Sequence, residues 1–419
     1  MSGRTILGSA RVRQLQRWGI NRLRRSRFFP VTVPDKLGDD DRLAGTTLRH
    51  SVLVYFPDTQ ESLYQIEPWL AAFEALDARL PVVVVCQDSR TAARLRAAST
   101  LEVLTIARYG RLDDLLGRSD VKLALYVSHS ARNFECLRFT SMVHVYLGHG
   151  DSDKGVSASN QVKAYDYCFV AGRAAVDRIA RNVHSYDAAA RCVTIGQPQL
   201  DVSGVLGLPA PGAADRPTIL YAPTWEGAQP SVAYSSVLSH GETMVRALVK
   251  SGHWRVLYRP HPLTGVTSPD YARADERIRA LVEADPGGGH RVDTGTLAEA
   301  FAEASLLLSD VSGVVLNWLP TGRPIVLTQP HGDQARVART PLTLVLPSIP
   351  AQDAADIDAV ARAALTDEDG RAQRAELIEY YLTDVTPGAA TARFVRACED
   401  AARERDAAIA ALDRGDRLP

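Results

Sequence analysis

The run Pro81-Val82-Val83-Val84-Val85-Cys86 has no polar residue on either side of its pleat. A strand that is apolar on both faces is covered on both faces, and that happens in parallel sheets flanked by helices. The neighbouring segments agree with this. Ser51 to Phe56, Leu101 to Ile106, Leu123 to Val127, Met142 to Leu147, Asp166 to Val170 and Arg191 to Ile195 are further short β-rich runs. Between them, Glu61 to Leu76 carries Leu63, Ile66, Leu70, Phe73 and Leu76 at helical spacing, and Thr91 to Ala98 also reads as a helix. Strands alternating with helices predict an α/β architecture.

The alternation stops and then restarts. Val202 to Thr218 is rich in Gly, Pro and Ala, has little periodicity and reads as a linker. Beyond it, Thr218 to Ala222, Trp254 to Tyr258, Leu306 to Leu308 and Pro324 to Leu327 are expected strands. Gly241 to Ser251, Asp353 to Leu365 and Gly388 to Leu412 are expected helices. The predicted domains are an arm at 1–34, an N-terminal Rossmann-like domain at 35–205, a linker at 206–218, a C-terminal Rossmann-like domain at 219–385 and a C-terminal helix at 386–419. A length of 419 residues agrees with two or three domains of roughly 150 residues each.

Several classes are disfavoured. No apolar stretch approaches the ~18–20 residues of a membrane span, and no apolar core of a secretory signal follows the first arginines. The five cysteines, Cys86, Cys136, Cys168, Cys192 and Cys398, form no Cys-x-x-Cys site and read as buried, reduced thiols. Charge is unevenly spread. Residues 1–34 hold eight arginines and no acid, so with −1 overall the rest of the chain carries −9. Val12, Leu15, Trp18 and Leu23 follow helical spacing in this arm. A basic helix with Trp and Phe suits an anionic membrane surface, and it equally suits a helix packed on the body. No basic-aromatic patch continues into the acidic body, so no nucleic-acid partner is expected.

Polar residues at strand ends mark the candidate site. His149 sits in Gly148-His149-Gly150-Asp151-Ser152-Asp153-Lys154 after one strand. A histidine near its ordinary pKa serves as a general base at neutral pH, with Asp151 or Asp153 to orient it; a turn histidine held by a carboxylate is the plainer alternative. His261 lies in Arg259-Pro260-His261-Pro262, where two prolines fix the backbone. Arg259 and His261 together suit a diphosphate, or else His261 only packs on its neighbours. Ser309-Asp310-Val311-Ser312-Gly313 follows a strand and opens a helix, a place that favours anions and also makes an ordinary cap. No metal site is expected, since neither His-x-His nor His-Glu-x-x-His spacing occurs, and no cofactor is called for.

In this order the motifs resemble the CDP-glycerol glycerophosphotransferase family, the polyol-phosphate transferases of teichoic-acid and capsule type. The resemblance rests on His149-Gly150 with Lys154, Tyr165-Asp166-Tyr167, Gly196-Gln197-Pro198 with Asp201, Tyr221-Ala222-Pro223-Thr224-Trp225, Arg259-Pro260-His261-Pro262, and Ser309 to Gly313 with Gly322-Arg323-Pro324-Ile325 behind it. It covers residues 140 to 330. Two departures stand out. Asn317 occupies a position where the family usually has Asp before the aromatic Trp318, and Ser152 stands where it usually has Pro.

The resemblance implies a GT-B-like fold, with two Rossmann-like domains whose parallel sheets face a central cleft, the N-terminal one at 35–205 for the acceptor and the C-terminal one at 219–385 for the donor, plus the basic N-terminal helix. It implies transfer of glycerol phosphate or ribitol phosphate from a CDP-alcohol to a hydroxyl of a lipid-linked cell-surface polymer, with release of CMP. His149 and His261 would be catalytic. Gly150, Asp151, Asp153 and Lys154 would face the acceptor, and Thr224, Arg259, Ser309, Asp310, Ser312, Gly313 and Asn317 the donor. Such an enzyme would be cytoplasmic and peripheral on the inner face of the plasma membrane, held by residues 1–34. The alternatives are a GT-B glycosyltransferase using a nucleotide sugar and a membrane-recruited nucleotide-binding scaffold without turnover.

Overall fold

The apolar runs form two parallel sheets. The first has the order β3-β2-β1-β4-β5-β6-β7, with β1 Val52–Phe56, β2 Val82–Cys86, β3 Glu102–Thr105, β4 Leu123–Tyr126, β5 Val143–Tyr146, β6 Tyr167–Val170 and β7 Cys192–Thr194. Val54 of β1 is in register with Val84 on one side and Leu125 on the other. Every residue of β1, β2 and β4 is buried, as the doubly apolar run at Val82 requires. This is a computed structural model, and it describes Asp35 and residues 38–151, 159–212, 215–227, 233–332 and 338–415. The basic arm at 1–34, Asp153 and Lys154 lie outside the described residues.

Helices α1 Leu70–Asp77, α2 Ser89–Ala98, α3 Tyr109–Gly117 and α4 Arg173–Asn182 accompany this sheet. The single helix expected from Glu61 to Leu76 is broken into short turns at Gln60–Ser62, Leu63–Ile66 and Glu67–Trp69 before α1 begins. Pro68 accounts for the break: it has no N–H to donate and its ring crowds the preceding turn. Asp88 caps α2, accepting from the backbone N–H groups of Arg90 and Thr91 at 3.1 and 3.0 Å.

The second sheet has the order β10-β9-β8-β11-β12-β13, formed by β8 Thr218–Tyr221, β9 Arg255–Tyr258, β10 Arg291–Val292, β11 Leu306–Ser309, β12 Ile325–Thr328 and β13 Ser348–Ile349. Its helices are α5 Glu242–Ser251, α6 Pro269–Glu283, α7 Leu297–Glu303, α8 Gly313–Trp318, α9 Ile357–Thr366 and α10 Asp369–Leu382, and α11 Ala389–Asp413 ends the chain. Alternate residues of the central strands enter different cores. Ile219, Tyr221, Val256, Tyr258, Leu306 and Leu308 pack with α5, α6 and α9, whereas Leu220, Leu257 and Leu307 pack with Phe301, Trp318 and Tyr381. Each large apolar side chain so buried contributes about 1.5–3 kcal/mol.

The chain divides into two compact units, residues 1–144 with 401–419, and residues 145–400. The core that holds Leu220 and Leu307 also holds Ala171, Ala174, Leu200 and Val205. That continuity is why the segments after β5 cluster with the second sheet. Among the described residues, no helix is long and apolar enough to cross a membrane.

Candidate active site

The second sheet reverses its winding once. The chain leaves β8 for β9 and β10 and then returns to place β11 on the other side of β8. Loops leaving the carboxyl ends of β8 and β11 therefore part, and such a crevice is where open α/β sheets bind ligands. Thr224 follows β8, and Ser309, Asp310 and Ser312 end or follow β11.

Two of these side chains fasten the crevice. Asp310 is fully buried and accepts from the backbone N–H of Thr224 at 2.8 Å, from that of Ser236 at 3.2 Å and from the Thr328 hydroxyl. Burial raises its pKa above the usual carboxylate range, and the hydrogen bonds from Ser236, Thr328 and Thr224 only partly offset it. Ser309 donates to the carbonyl of Ala222 at 2.7 Å and lies 3.3 Å from the Ser312 hydroxyl. Ser312 begins α8 without a side-chain bond to the helix N–H groups, so it leaves those donors to other partners.

The His149 turn meets this strand end. Gly148 and Gly150 have φ of +68° and +156°, conformations that favour glycine, and they bring the chain sharply past exposed His149. A Cβ built on Gly313 would lie 3.2 Å from the backbone oxygen of Asp151. A Cβ at Gly313 would push that oxygen back by a few tenths of an ångström. The Asp151 carboxylate is paired with Arg178 of α4, both side chains being largely buried. Arg178 thus fixes the turn that carries His149.

His261 is held from the β8 side. Its ring stacks on Trp225 with centroids 6.3 Å apart and planes at 24°, and its Nδ1 accepts from the Leu263 N–H at 3.1 Å. Glu226, the next residue, is buried and accepts from Gly265 N–H at 3.0 Å, Thr267 N–H at 3.0 Å, the Thr267 hydroxyl at 2.9 Å and Ser268 N–H at 3.2 Å. Burial would raise its pKa, but the hydrogen bond from its own backbone N–H, with those from Gly265 and Thr267, prevails and holds it below the usual carboxylate range. Trp225 and Glu226 thereby clamp the loop from His261 to Ser268.

The remaining sequence-read residues are placed differently. Arg259 is tied to the buried carboxylate of Asp293 and donates to the Gly295 carbonyl at 2.7 Å. Asn317, on α8, accepts from the Gln197 side-chain amide at 3.1 Å. The Gly196-x-Pro198 motif with Asp201 serves α11. Asp201 accepts from the backbone N–H groups of Gly388 at 2.9 Å and Thr391 at 2.7 Å. Gly196, at φ +82°, leaves room for Arg393 and Ala390, which a Cβ would meet at 2.6 and 2.9 Å. Sequence reasoning did not select Glu226, Ser236, Thr328 or Arg178. Glu226 had one usable signal, as the acid directly after the Thr224-Trp225 strand end; Arg178 had none. Among the described residues, no group of three or more His, Cys, Asp or Glu side chains is arranged to hold a metal ion.

The structure is similar to that of the wall teichoic acid polymerase TagF soaked with CDPG, at 13% identity over 95% of this chain and 99% of that one, with a TM-score of 0.51. It is also similar to a glycosyltransferase from Rickettsia africae ESF-5, at 10% identity over 85% and 98% of the two chains with a TM-score of 0.52. The S. aureus MnaA–UDP co-structure matches at 12% identity over 83% and 95%, with a TM-score of 0.51. At such identities the likeness establishes the fold, GT-B. No curated protein matches the sequence. The pattern of the CDP-glycerol:poly(glycerophosphate) glycerophosphotransferases matches residues 140–396, more than half of the chain and the whole stretch that holds both histidine turns and the β8–β11 crevice. The chain belongs to that family and is a transferase of the CDP-glycerol glycerophosphotransferase type.

Proposed function

We propose that this transferase moves glycerol phosphate or ribitol phosphate from a CDP-alcohol to a hydroxyl of a lipid-linked cell-surface polymer of teichoic-acid type, releasing CMP. The observation that carries the reading is the approach of Asp151 to Gly313. It sets the turn bearing His149 beside the carboxyl end of β11; in this reading Ser312 and the first N–H groups of α8 receive the donor diphosphate. His261 stacks on Trp225, which follows β8, and the Asp310 carboxylate fixes the neighbouring Thr224 to the end of β11.

In the reaction, the acceptor hydroxyl oxygen bonds to the phosphorus that bears the polyol. The bridging P–O bond to CMP breaks, and the hydroxyl proton passes to His149. His261 stabilises the charge gathering on the leaving phosphate. Such transfers depend mainly on positioning and charge neutralisation. The described contacts of Ser309 and Asp310 suit positioning, and Arg259 supports the loop from which His261 projects. Asp153 and Lys154 complete the acceptor side in this reading. The enzyme works at the inner face of the plasma membrane, held there by the arginines of residues 1–34.

Thermal-shift titration with CDP-glycerol, CDP-ribitol, UDP-sugars and GDP-sugars tests the donor. Stabilisation by the CDP-alcohols, and CMP formation once a lipid-linked acceptor is added, is the expected result. Stabilisation by UDP- or GDP-sugars alone would sink the reading.

A further inference from the structure

Two of the five cysteines meet at the edge of the first sheet. Cys168 of β6 and Cys192 of β7 are direct partners in the parallel register, and both lie in the unit formed by residues 145–400. Partners on neighbouring strands stand about 4.7–4.9 Å apart, inside the Cα separation of about 4.4–6.8 Å that a disulfide spans. Their side chains leave the same face of the sheet, and the two thiols share a hydrogen bond. β7 has no strand on its other side, so it can adjust as the sulfurs are brought together.

The two thiols differ in access. Cys168 is fully buried among Val162, Ile179, Val183 and Ala188, whereas Cys192 is only partly buried. Cys192 forms part of the wall of a cavity of about 680 Å³ that Arg173 of α4 and Glu376 and Glu379 of α10 also line. Small-molecule sites are of this size, about 300–1,000 Å³. The Arg173 guanidinium is paired with Asp177 at 2.8 Å, so the two glutamates make the cavity acidic on balance. Cys168 is prepared to act second. The hydrogen bond from Cys192 lowers its pKa, burial opposes this, and the Tyr186 hydroxyl, 3.4 Å from its sulfur, and the Arg191 charge lower it further. The thiolate is the form that attacks a neighbouring sulfur. Cys86 and Cys136 are different: burial pushes their thiols up to about 12.

We propose that Cys168 and Cys192 are a reversible thiol–disulfide pair, oxidised by a small disulfide bearing ammonium groups that enters through the acidic cavity. The Cys192 sulfur attacks one sulfur of that disulfide and breaks its S–S bond, and the thiol released takes up the Cys192 proton. The Cys168 sulfur then attacks Cys192, breaks the mixed disulfide and releases the second thiol, which takes up the Cys168 proton. Two electrons and two protons pass from the protein to the small disulfide, and β7 is joined covalently to β6. The pair and its cavity do not depend on the transferase reading given above.

The test treats the reduced, full-length protein with cystamine, and with oxidised glutathione as an anionic comparison. Remaining thiols are counted after denaturation, and peptides are weighed by mass spectrometry. Cystamine should lower the count of five free thiols by two, give a peptide cross-linked between Cys168 and Cys192, and be reversed by dithiothreitol. Cys168→Ser should instead hold a mixed disulfide at Cys192, and Cys192→Ser should keep its remaining thiols reduced. Replacing both Glu376→Gln and Glu379→Gln should slow the cystamine reaction about 10-fold at low salt. The wild-type cross-link is read without any variant, so it decides the matter even where a substitution disturbs folding. Five thiols surviving in the wild type, or a cross-link through Cys86, Cys136 or Cys398, would overturn the proposal. So would a mixed disulfide at Cys192 that the wild type retains as long as Cys168→Ser does. Equal rates with cystamine and oxidised glutathione, unmoved by the glutamate substitutions, would overturn the choice of oxidant.

Discussion

The backbone oxygen of Asp151 lies so close to Gly313 that a Cβ at that glycine would sit 3.2 Å away. Two turns more than 150 residues apart in sequence are thereby set against each other: one bears His149, and the other ends the central strand of the second sheet. Gly313 has no left-handed backbone to protect, so alanine is tolerated locally and the strain falls on the contact. Gly313→Ala should displace the His149 turn by a few tenths of an ångström. Displacements of about 1 Å cost on the order of 10²-fold in rate, so a drop in kcat of about 3- to 10-fold is expected, with the melting temperature nearly unchanged. Steady-state kinetics beside a thermal melt checks this.

Glu226 organises the loop that carries His261 through three backbone N–H groups and one hydroxyl. Glu226→Ala removes the acceptor for all of them. The donors are only partly buried, so the loss is that of hydrogen bonds to a charged acceptor, about 1.5–3 kcal/mol, which a urea unfolding curve reads directly. Activity should fall by more than the small unfolded fraction explains, because the loop is freed while the sheet stays folded. A variant that lost stability but kept full kcat would show that this loop does not position His261.

His240 gives the protein an acid limit. Burial depresses its pKa to about 4, the nearby His331 adds to the depression, and a hydrogen bond with the Ile349 backbone offsets part of it. The folded state therefore keeps this ring neutral while the unfolded chain, near 6.5, takes up a proton. The stabilising contribution is complete above pH 6.5 and is lost as pH falls from 6.5 towards 4, at no more than about 1.4 kcal/mol per pH unit. Unfolding midpoints recorded across this window should decline, and His240→Gln should flatten the decline.

The arginine-rich arm makes a separate prediction. Each basic residue near an anionic bilayer contributes about 1 kcal/mol, and eight arginines lie within residues 1–34. A chain lacking 1–34 should lose sedimentation with phosphatidylglycerol vesicles, most clearly at low salt, and should keep its turnover of a soluble acceptor. Equal sedimentation of the two chains would show that the arm packs on the body instead.

The central strands were legible because burial on both faces leaves an unmistakable apolar run, as at Val82 to Cys86 and Leu306 to Leu308. The edge strands Arg291–Val292 and Ser348–Ile349 were not, since two residues carry no period. α6 and α10 escaped notice for a related reason: Asp270 to Glu283 and Asp369 to Glu379 are dense in charge, and their apolar stripes are thin. Pro68 was visible, but the leucine spacing around it outweighed it. In the site, His149, His261 and the Ser309 to Gly313 segment were legible as motifs. What each residue does there was not, because hydroxyls and carboxylates read alike in sequence whether they face a ligand or a backbone. Asp310 accepts from Thr224 and Ser236, Asp201 holds the start of α11, and Arg259 meets Asp293. Those partners lie 34 to 190 residues away, beyond the reach of any local pattern.

The central claim is that His149 takes the acceptor proton while the donor sits at the β8–β11 strand ends. The measurement that meets it most directly is CMP release from CDP-glycerol in the presence of a lipid-linked acceptor, for wild type and His149→Ala, with donor binding followed in parallel by thermal shift. Removal of a general base should lower kcat by about 10²–10⁴-fold while CDP-glycerol still stabilises the variant as it does the wild type. A His149→Ala enzyme that releases CMP at the wild-type rate would contradict the account.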